Sequence, residues 1–266
     1  MGGISLYDHQ EKALAKMHNG CILCGGVGSG KSRTGLAYYY QQQGGNLDEP
    51  DSVMKKPRDL YIITTAKKRD KCEWGEEMAP FLLSVHPEAN YYKNTVVVDS
   101  WNNIAKYKNI QDAFFIFDEQ RVVGYGAWTK AFLKIAKANK WILLSATPGD
   151  TWQDYIPVFI ANGFYRNKSD FIDQHVIYDW RSKYPKVDRY LNTGRLIRLR
   201  NRILVEMEFE RHTTSNHVDI PVSYNISNYR DITRKRWNIW EDKPIETAGE
   251  LCYSLRKIVN SDDSRS

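Results

Sequence analysis

Gly25-Gly26-Val27-Gly28-Ser29-Gly30-Lys31-Ser32 is the stretch on which the reading of this chain turns. It follows a short apolar run, Cys21 to Cys24, and leads into a helix-length amphipathic stretch, Ser32 to Gln42. A strand, a glycine-rich turn and a helix start in that order make a phosphate-binding loop. The glycines Gly25, Gly26, Gly28 and Gly30 let the backbone amides, with those of Val27 and Ser29, turn inward around an anion. The helix start adds the positive end of its dipole. Lys31 would reach the outer phosphates and Ser32 would offer its hydroxyl to magnesium. The competing explanation, a merely flexible turn, leaves the strand before it and the helix after it unexplained. ATP and Mg2+ are therefore the expected cofactors.

Four more apolar runs follow at Leu60 to Thr64, Thr95 to Val98, Phe114 to Phe117 and Trp141 to Leu144, each rich in β-branched or aromatic residues. They read as buried strands. Between them lie helix-length stretches such as Ala127 to Ala138, so the spacing predicts a doubly wound α/β domain whose parallel sheet is covered on both faces. A phosphate-binding loop needs an acidic partner, and Phe114-Phe115-Ile116-Phe117-Asp118-Glu119 supplies one at the end of a strand. Asp118 is expected to hold the metal, and Glu119 to orient and deprotonate the attacking water. With Lys31 these form the expected catalytic set.

The chain has 266 residues, enough for one sizeable core and an appendage, and 42% of them are hydrophobic. No stretch approaches the roughly 20 uncharged apolar residues that span a bilayer, and Met1 to Gln10 lacks the order of a secretory signal. A cytoplasmic protein without a membrane partner is expected. Cys21, Cys24, Cys72 and Cys252 are too few and too unevenly spaced for a disulfide framework. The formal charge of +6 favours a polyanionic partner without requiring one, and 17 Tyr and 8 Trp include rings that could stack on bases.

The order of these segments resembles helicase superfamily 2, and within it the chromatin-remodeller-like, Swi/Snf-related helicases often found in bacteriophage genomes. The resemblance covers about residues 4 to 150. Leu6-Tyr7-Asp8-His9-Gln10 is similar to the adenine-recognising Q element, which implies that Gln10 bonds the base edge and Tyr7 packs on it. Ile62-Ile63-Thr64-Thr65-Ala66, with Trp74 and Glu77 after it, resembles motif Ia, and Val98-Asp99-Ser100-Trp101 falls where motif Ib would. Ser145-Ala146-Thr147-Pro148 resembles motif III. The resemblance implies a RecA-like domain in which Thr64, Thr65, Ser100, Trp101, Ser145 and Thr147 touch nucleic acid or couple it to the nucleotide. DNA is the partner it implies, single-stranded or duplex, with RNA open, and a phage protein would work in the bacterial cytosol. Asp118-Glu119-Gln120-Arg121 departs from the family's commoner spellings in its last two residues, which weakens a finer subfamily assignment.

After Pro148 the chain turns to short aromatic and polar segments. Nine basic and four acidic residues lie between Arg181 and Arg211, and Arg195, Arg198, Arg200 and Arg202 would fall on one or two faces of a helix, either solvated or tracking phosphates. Val218 to Ile226 reads as a strand, and Ala248 to Asp262 as a helical lead-in. The expected division is a motor domain over 1–162, a basic, mostly helical extension over 163–217, and over 218–266 the approach to a second motor domain. That second domain would carry the arginine fingers, so full activity is expected to need it. An ATP-binding interaction module without motor activity is the alternative. Asn167-Lys168-Ser169-Asp170 imitates a guanine-reading element, but Arg121 stands where a GTPase would have glycine in its magnesium motif. Cys21 and Cys24 have the spacing of half a zinc site without a second half, and read as core cysteines.

Overall fold

The computed structural model describes residues 4–49, 51–119, 126–209 and 223–260. The chain divides into two compact units, residues 1–210 and 211–266. In chain order the first unit contains α1 (Asp8–Leu14), β1 (Ile22–Cys24), α2 (Lys31–Gln42), β2 (Leu60–Thr64), α3 (Ala66–Asp70), α4 (Glu73–Met78) and β3 (Val96–Ser100). It continues with β4 (Phe114–Asp118), α5 (Ala127–Ala138), β5 (Lys140–Ser145), α6 (Ile156–Ala161), α7 (Lys168–His175), β6 (Val176–Tyr178), β7 (Val187–Tyr190), α8 (Thr193–Ile203) and β8 (Leu204–Glu206).

Six of these strands form one sheet in the order β3-β2-β4-β5-β1-β8, and every pairing is parallel. This is a RecA-like α/β arrangement. Successive side chains of a strand point to opposite faces. Accordingly Leu23, Ile62, Phe114, Ile116, Ile142 and Leu144 enter one core, which α1, α2 and α4 cover. Ile22, Ile63, Phe115, Phe117, Trp141 and Leu143 enter the other, which α5, α6 and α8 cover. Burial on both faces is why the strands read as unbroken apolar runs instead of alternating patterns.

The five expected strands are present, and Ala127–Ala138 is a helix with the expected bounds. The sheet has a sixth strand that was not expected. β8 is three residues long and pairs with β1 from Ile22↔Leu204 to Cys24↔Glu206, so residues 163–209, expected as a separate extension, belong to the first compact unit and complete its sheet. β6 and β7 form a separate antiparallel hairpin.

The second unit contains α9 (Ile226–Lys235), a short antiparallel pair β9 (Trp237–Asn238) and β10 (Lys243–Pro244), and α10 (Ala248–Asn260). Ile232, Ile245 and Ile258 form its core. The strand expected over Val218 to Ile226 is corrected where it can be seen. Residues 218–222 lie outside the described residues, 223–225 are not a strand, and Ile226 opens α9 because the Asn225 side chain accepts the Asn228 amide at 3.0 Å and caps the helix. No helix among the described residues is long and apolar enough to cross a membrane.

Candidate nucleotide site at the carboxyl edge of the sheet

Residues 25–30 connect the end of β1 to the start of α2, at the edge where ligands bind in open parallel sheets. Gly28 and Gly30 adopt φ of +81° and +80°, a region that other residues rarely enter. A Cβ on Gly30 would also lie 2.0 Å from Gln10 Nε2. The Gly25 amide donates to the Ser145 carbonyl at 3.2 Å, which ties the loop to β5. Ser29 Oγ donates to the Gly26 carbonyl at 2.8 Å. Lys31 Nζ folds back along the loop and donates to the carbonyls of Gly25 and Gly26, each at 2.7 Å. Burial lowers the Lys31 ammonium below its ordinary value, while the charge of Asp118 acts in the opposite direction. Ser32, in the first turn of α2, is half-buried.

Asp118 ends β4 with its side chain inside the protein, 2% exposed. Thr64 Oγ1, at the end of β2, donates to Asp118 Oδ2 at 2.7 Å. Trp101 Nε1 donates to the Asp118 carbonyl at 2.9 Å. Lys68 of α3 donates to Asp118 Oδ2 at 2.9 Å and lies 3.4 Å from Glu119 Oε1. Burial of the Lys68 ammonium opposes its charge, but the two carboxylates outweigh it and raise its pKa. Glu119 stands one residue past the strand with φ of +54°. Sequence reasoning missed Lys68. The signal available was the basic run Lys67-Lys68-Arg69 two residues after Thr65, whose hydroxyl caps α3 by accepting the Lys68 amide at 3.3 Å.

Gln10 is buried and braces the loop: its Oε1 accepts the Tyr7 amide at 2.9 Å and its Nε2 donates to the Gly30 carbonyl at 3.4 Å. Tyr7 exposes 74% of its surface and stacks on His9, with ring centroids 5.8 Å apart and planes 8° from parallel. His9 Nε2 lies 3.0 Å from the Ser29 carbonyl, a loop contact that sequence reasoning missed.

Ser100 and Trp101 are buried. Ser100 Oγ accepts from Arg69 Nη1 at 3.3 Å, so neither it nor Trp101 presents a side chain to solvent. Next to them Asp99 gathers four donors: Asn103 Nδ2 at 2.8 Å, the Tyr107 hydroxyl at 2.7 Å, the Ser100 amide at 2.7 Å and Arg69 Nη1 at 3.1 Å. Burial alone would raise the Asp99 pKa, but these hydrogen bonds to its charged form bring it down to about 2. Ser145 is buried and its Oγ accepts the Thr147 amide at 3.1 Å, which leaves Thr147 exposed just beyond β5. Gln120 and Arg121 lie outside the described residues.

The remaining sequence features resolve locally. Asn167 Oδ1 accepts the Asp170 amide at 2.9 Å, so the guanine-like tetrapeptide is a helix cap for α7. Cys21 is fully buried, and burial pushes its thiol up to about 11. Three arginines of α8 lie over aromatic rings: Arg195 over Tyr165, Arg200 over Trp152 and Arg202 over Phe164, at 5.1 to 5.6 Å from the ring centres.

No protein-family model matches the chain, and no curated protein matches it. Among solved structures it is similar to the SWI2/SNF2 ATPase core of Sulfolobus solfataricus in complex with double-stranded DNA. That similarity has a TM-score of 0.57 and 14% identity, and covers 96% of this chain and 57% of the other. It is also similar to the Hef helicase domain of Pyrococcus furiosus, with a TM-score of 0.40 and 20% identity over 64% of this chain and 40% of that one. The first similarity carries the fold, a RecA-like α/β domain. The chain spans little more than half the length of that ATPase core.

Proposed function

We propose that this chain is the ATP-binding motor domain of a cytosolic nucleic-acid helicase or translocase, and that it works with a second RecA-like domain. One observation carries the reading. The sheet order brings Lys31, Ser32, Asp118 and Glu119, from the ends of β1 and β4, to one edge with only β5 between their strands. Lys31 and the amides of residues 25–30 would bind the phosphates, with Tyr7 stacking on the base and Gln10 reading its edge.

The donor set suits magnesium. Asp118 is a buried carboxylate that already holds a cation, the Lys68 ammonium, and it would share the metal with the Ser32 hydroxyl. Bound there, magnesium would neutralise and orient the phosphates. Glu119 would take the proton of the attacking water. Thr64 and Trp101 grip Asp118 by its carboxylate and its carbonyl, so their part is coupling and not contact with nucleic acid. Ser100, through Arg69, and Ser145, through Thr147, would couple in the same way, while Thr65 and Thr147 would touch the nucleic-acid backbone. DNA as the partner is supported by the DNA bound to the SWI2/SNF2 ATPase core.

The test separates binding from chemistry. Lys31→Ala should weaken ATP binding about 100-fold, as removal of a charged hydrogen-bond donor does. Glu119→Gln should keep ATP binding and slow DNA-stimulated phosphate release by roughly 100- to 10,000-fold. Phosphate release at the parent rate from the Glu119 variant would end this reading.

A further inference from the structure

The nucleotide site does not use the hairpin of β6 and β7. Its base is bolted to the core. Val176 is buried, and His175, fully buried beneath it, contacts the Leu191 carbonyl at 2.8 Å through Nδ1 and the Tyr165 hydroxyl at 2.7 Å through Nε2. At the other strand's end, Tyr190 hydrogen-bonds with Thr151 and the Gln153 backbone, in the segment that follows Thr147 and Pro148. The base of the hairpin is therefore tied to the segment that follows β5.

Its tip is built differently from its base. Trp180 is 85% exposed and Tyr184 is 73% exposed. Arg181 lies over the Trp180 ring at 5.3 Å, and Arg181, Lys183, Lys186 and Arg189 are all exposed. The two acidic residues nearby are engaged: Asp179 Oδ1 accepts the Arg181 amide at 2.9 Å, and Asp188 lies 3.7 Å from Arg189. The tip is ordered by the Asp179 amide donating to the Lys186 carbonyl at 2.8 Å. Two large rings held in water at a turn gain nothing for folding, whereas Phe171 and Tyr165 below them are buried. Flat rings interleaved with cations match the chemistry of a single nucleic-acid strand, whose bases stack and whose phosphates pair.

We infer that the hairpin tip is a single-strand-binding element: unpaired bases stack on Trp180 and Tyr184 while Arg181, Lys183, Lys186 and Arg189 hold the flanking phosphates. The choice of a nucleic-acid partner rests on the proposed function, but binding at the tip does not require nucleotide. That separates the two in the test.

The full chain is titrated, without nucleotide, against a fluorescein-labelled oligothymidylate of about 20 nucleotides and a duplex of equal length, with anisotropy as the readout. Trp180→Ala and Tyr184→Ala should each weaken single-strand binding roughly 5- to 150-fold, the range for losing one stacked base, and Trp180→Phe should restore most of it. Lys183→Gln with Lys186→Gln should flatten the salt dependence between about 50 and 200 mM. Circular dichroism should not change, because these side chains are exposed. Lys31→Ala should leave single-strand affinity intact; if that variant also retains ATP binding, the proposed function fails while the hairpin stands. The hairpin inference is overturned if the parent does not bind the oligothymidylate, if the Trp180→Ala/Tyr184→Ala double variant binds within about twofold of the parent, or if duplex binding falls by as much as single-strand binding.

Discussion

Helices α2 and α8 serve neighbouring strands and are anchored in opposite ways. α2 leaves β1, α8 runs into β8, and the two strands pair. Each helix starts from a left-handed residue, Gly30 with φ of +80° and Asn192 with φ of +55°. From there they diverge. α2 buries every residue from Thr34 to Tyr40, and its Tyr39 and Tyr40 hydroxyls donate to the carbonyls of Arg58 and Ser52. α8 buries only Leu196 and Ile203, and lays three of its arginines over aromatic rings. The helix that follows the glycine-rich loop is thus held by deep burial. The basic helix is held by its surface, with its cations engaged by its own unit.

Substitutions in and around the two helices would break or sharpen that contrast, each read as unfolding free energy in urea. The largest effect is expected for Tyr39→Ala, about 3–5 kcal/mol, since a fully buried ring against Phe114 is lost. A loss no larger than that of the arginine variants below would end the contrast. Gly30→Ala should cost about 2 kcal/mol through its left-handed backbone and the displaced Gln10 amide. Adding Gln10→Ala should recover part of the Gly30→Ala loss in a double-mutant cycle. Replacing Arg195 and Arg202 together by Met should cost about 1 kcal/mol, whereas Arg198→Met, the α8 arginine for which no ring contact is seen, should stay within about 0.5 kcal/mol. Asn192→Gly should have the smallest effect, below about 0.5 kcal/mol, because glycine adopts the same backbone freely.

The frame of the first unit was legible because its central strands are buried on both faces, and such strands announce themselves as short apolar runs. The loop at 25–32 was legible for a related reason: a turn that needs left-handed residues must spell itself with glycine. β8 was not legible. Leu204-Val205-Glu206 carries no pattern of its own and becomes a strand only because β1 offers it an unpaired edge. Lys68 and His9 escaped for the same kind of reason, since each acts through a partner far along the chain: Lys68 through Asp118 and His9 through Ser29. The strand expected over 218–226 fell to a local rule that was overlooked, the helix cap at Asn225.

By itself the sequence determined the α/β alternation, the glycine-rich turn between β1 and α2 and the acidic pair at the end of β4, all of which depend on residues close together in the chain. Only the tertiary structure decided that the loop, the acidic pair and Thr64 share one edge, that Lys68 neutralises Asp118, that residues 163–209 complete the sheet, and that the rings and cations of 180–189 stand out on a hairpin. The physical reason is that short-range sterics and periodicity set the elements. Pairing of sheet edges and burial of charge depend on which distant segments meet.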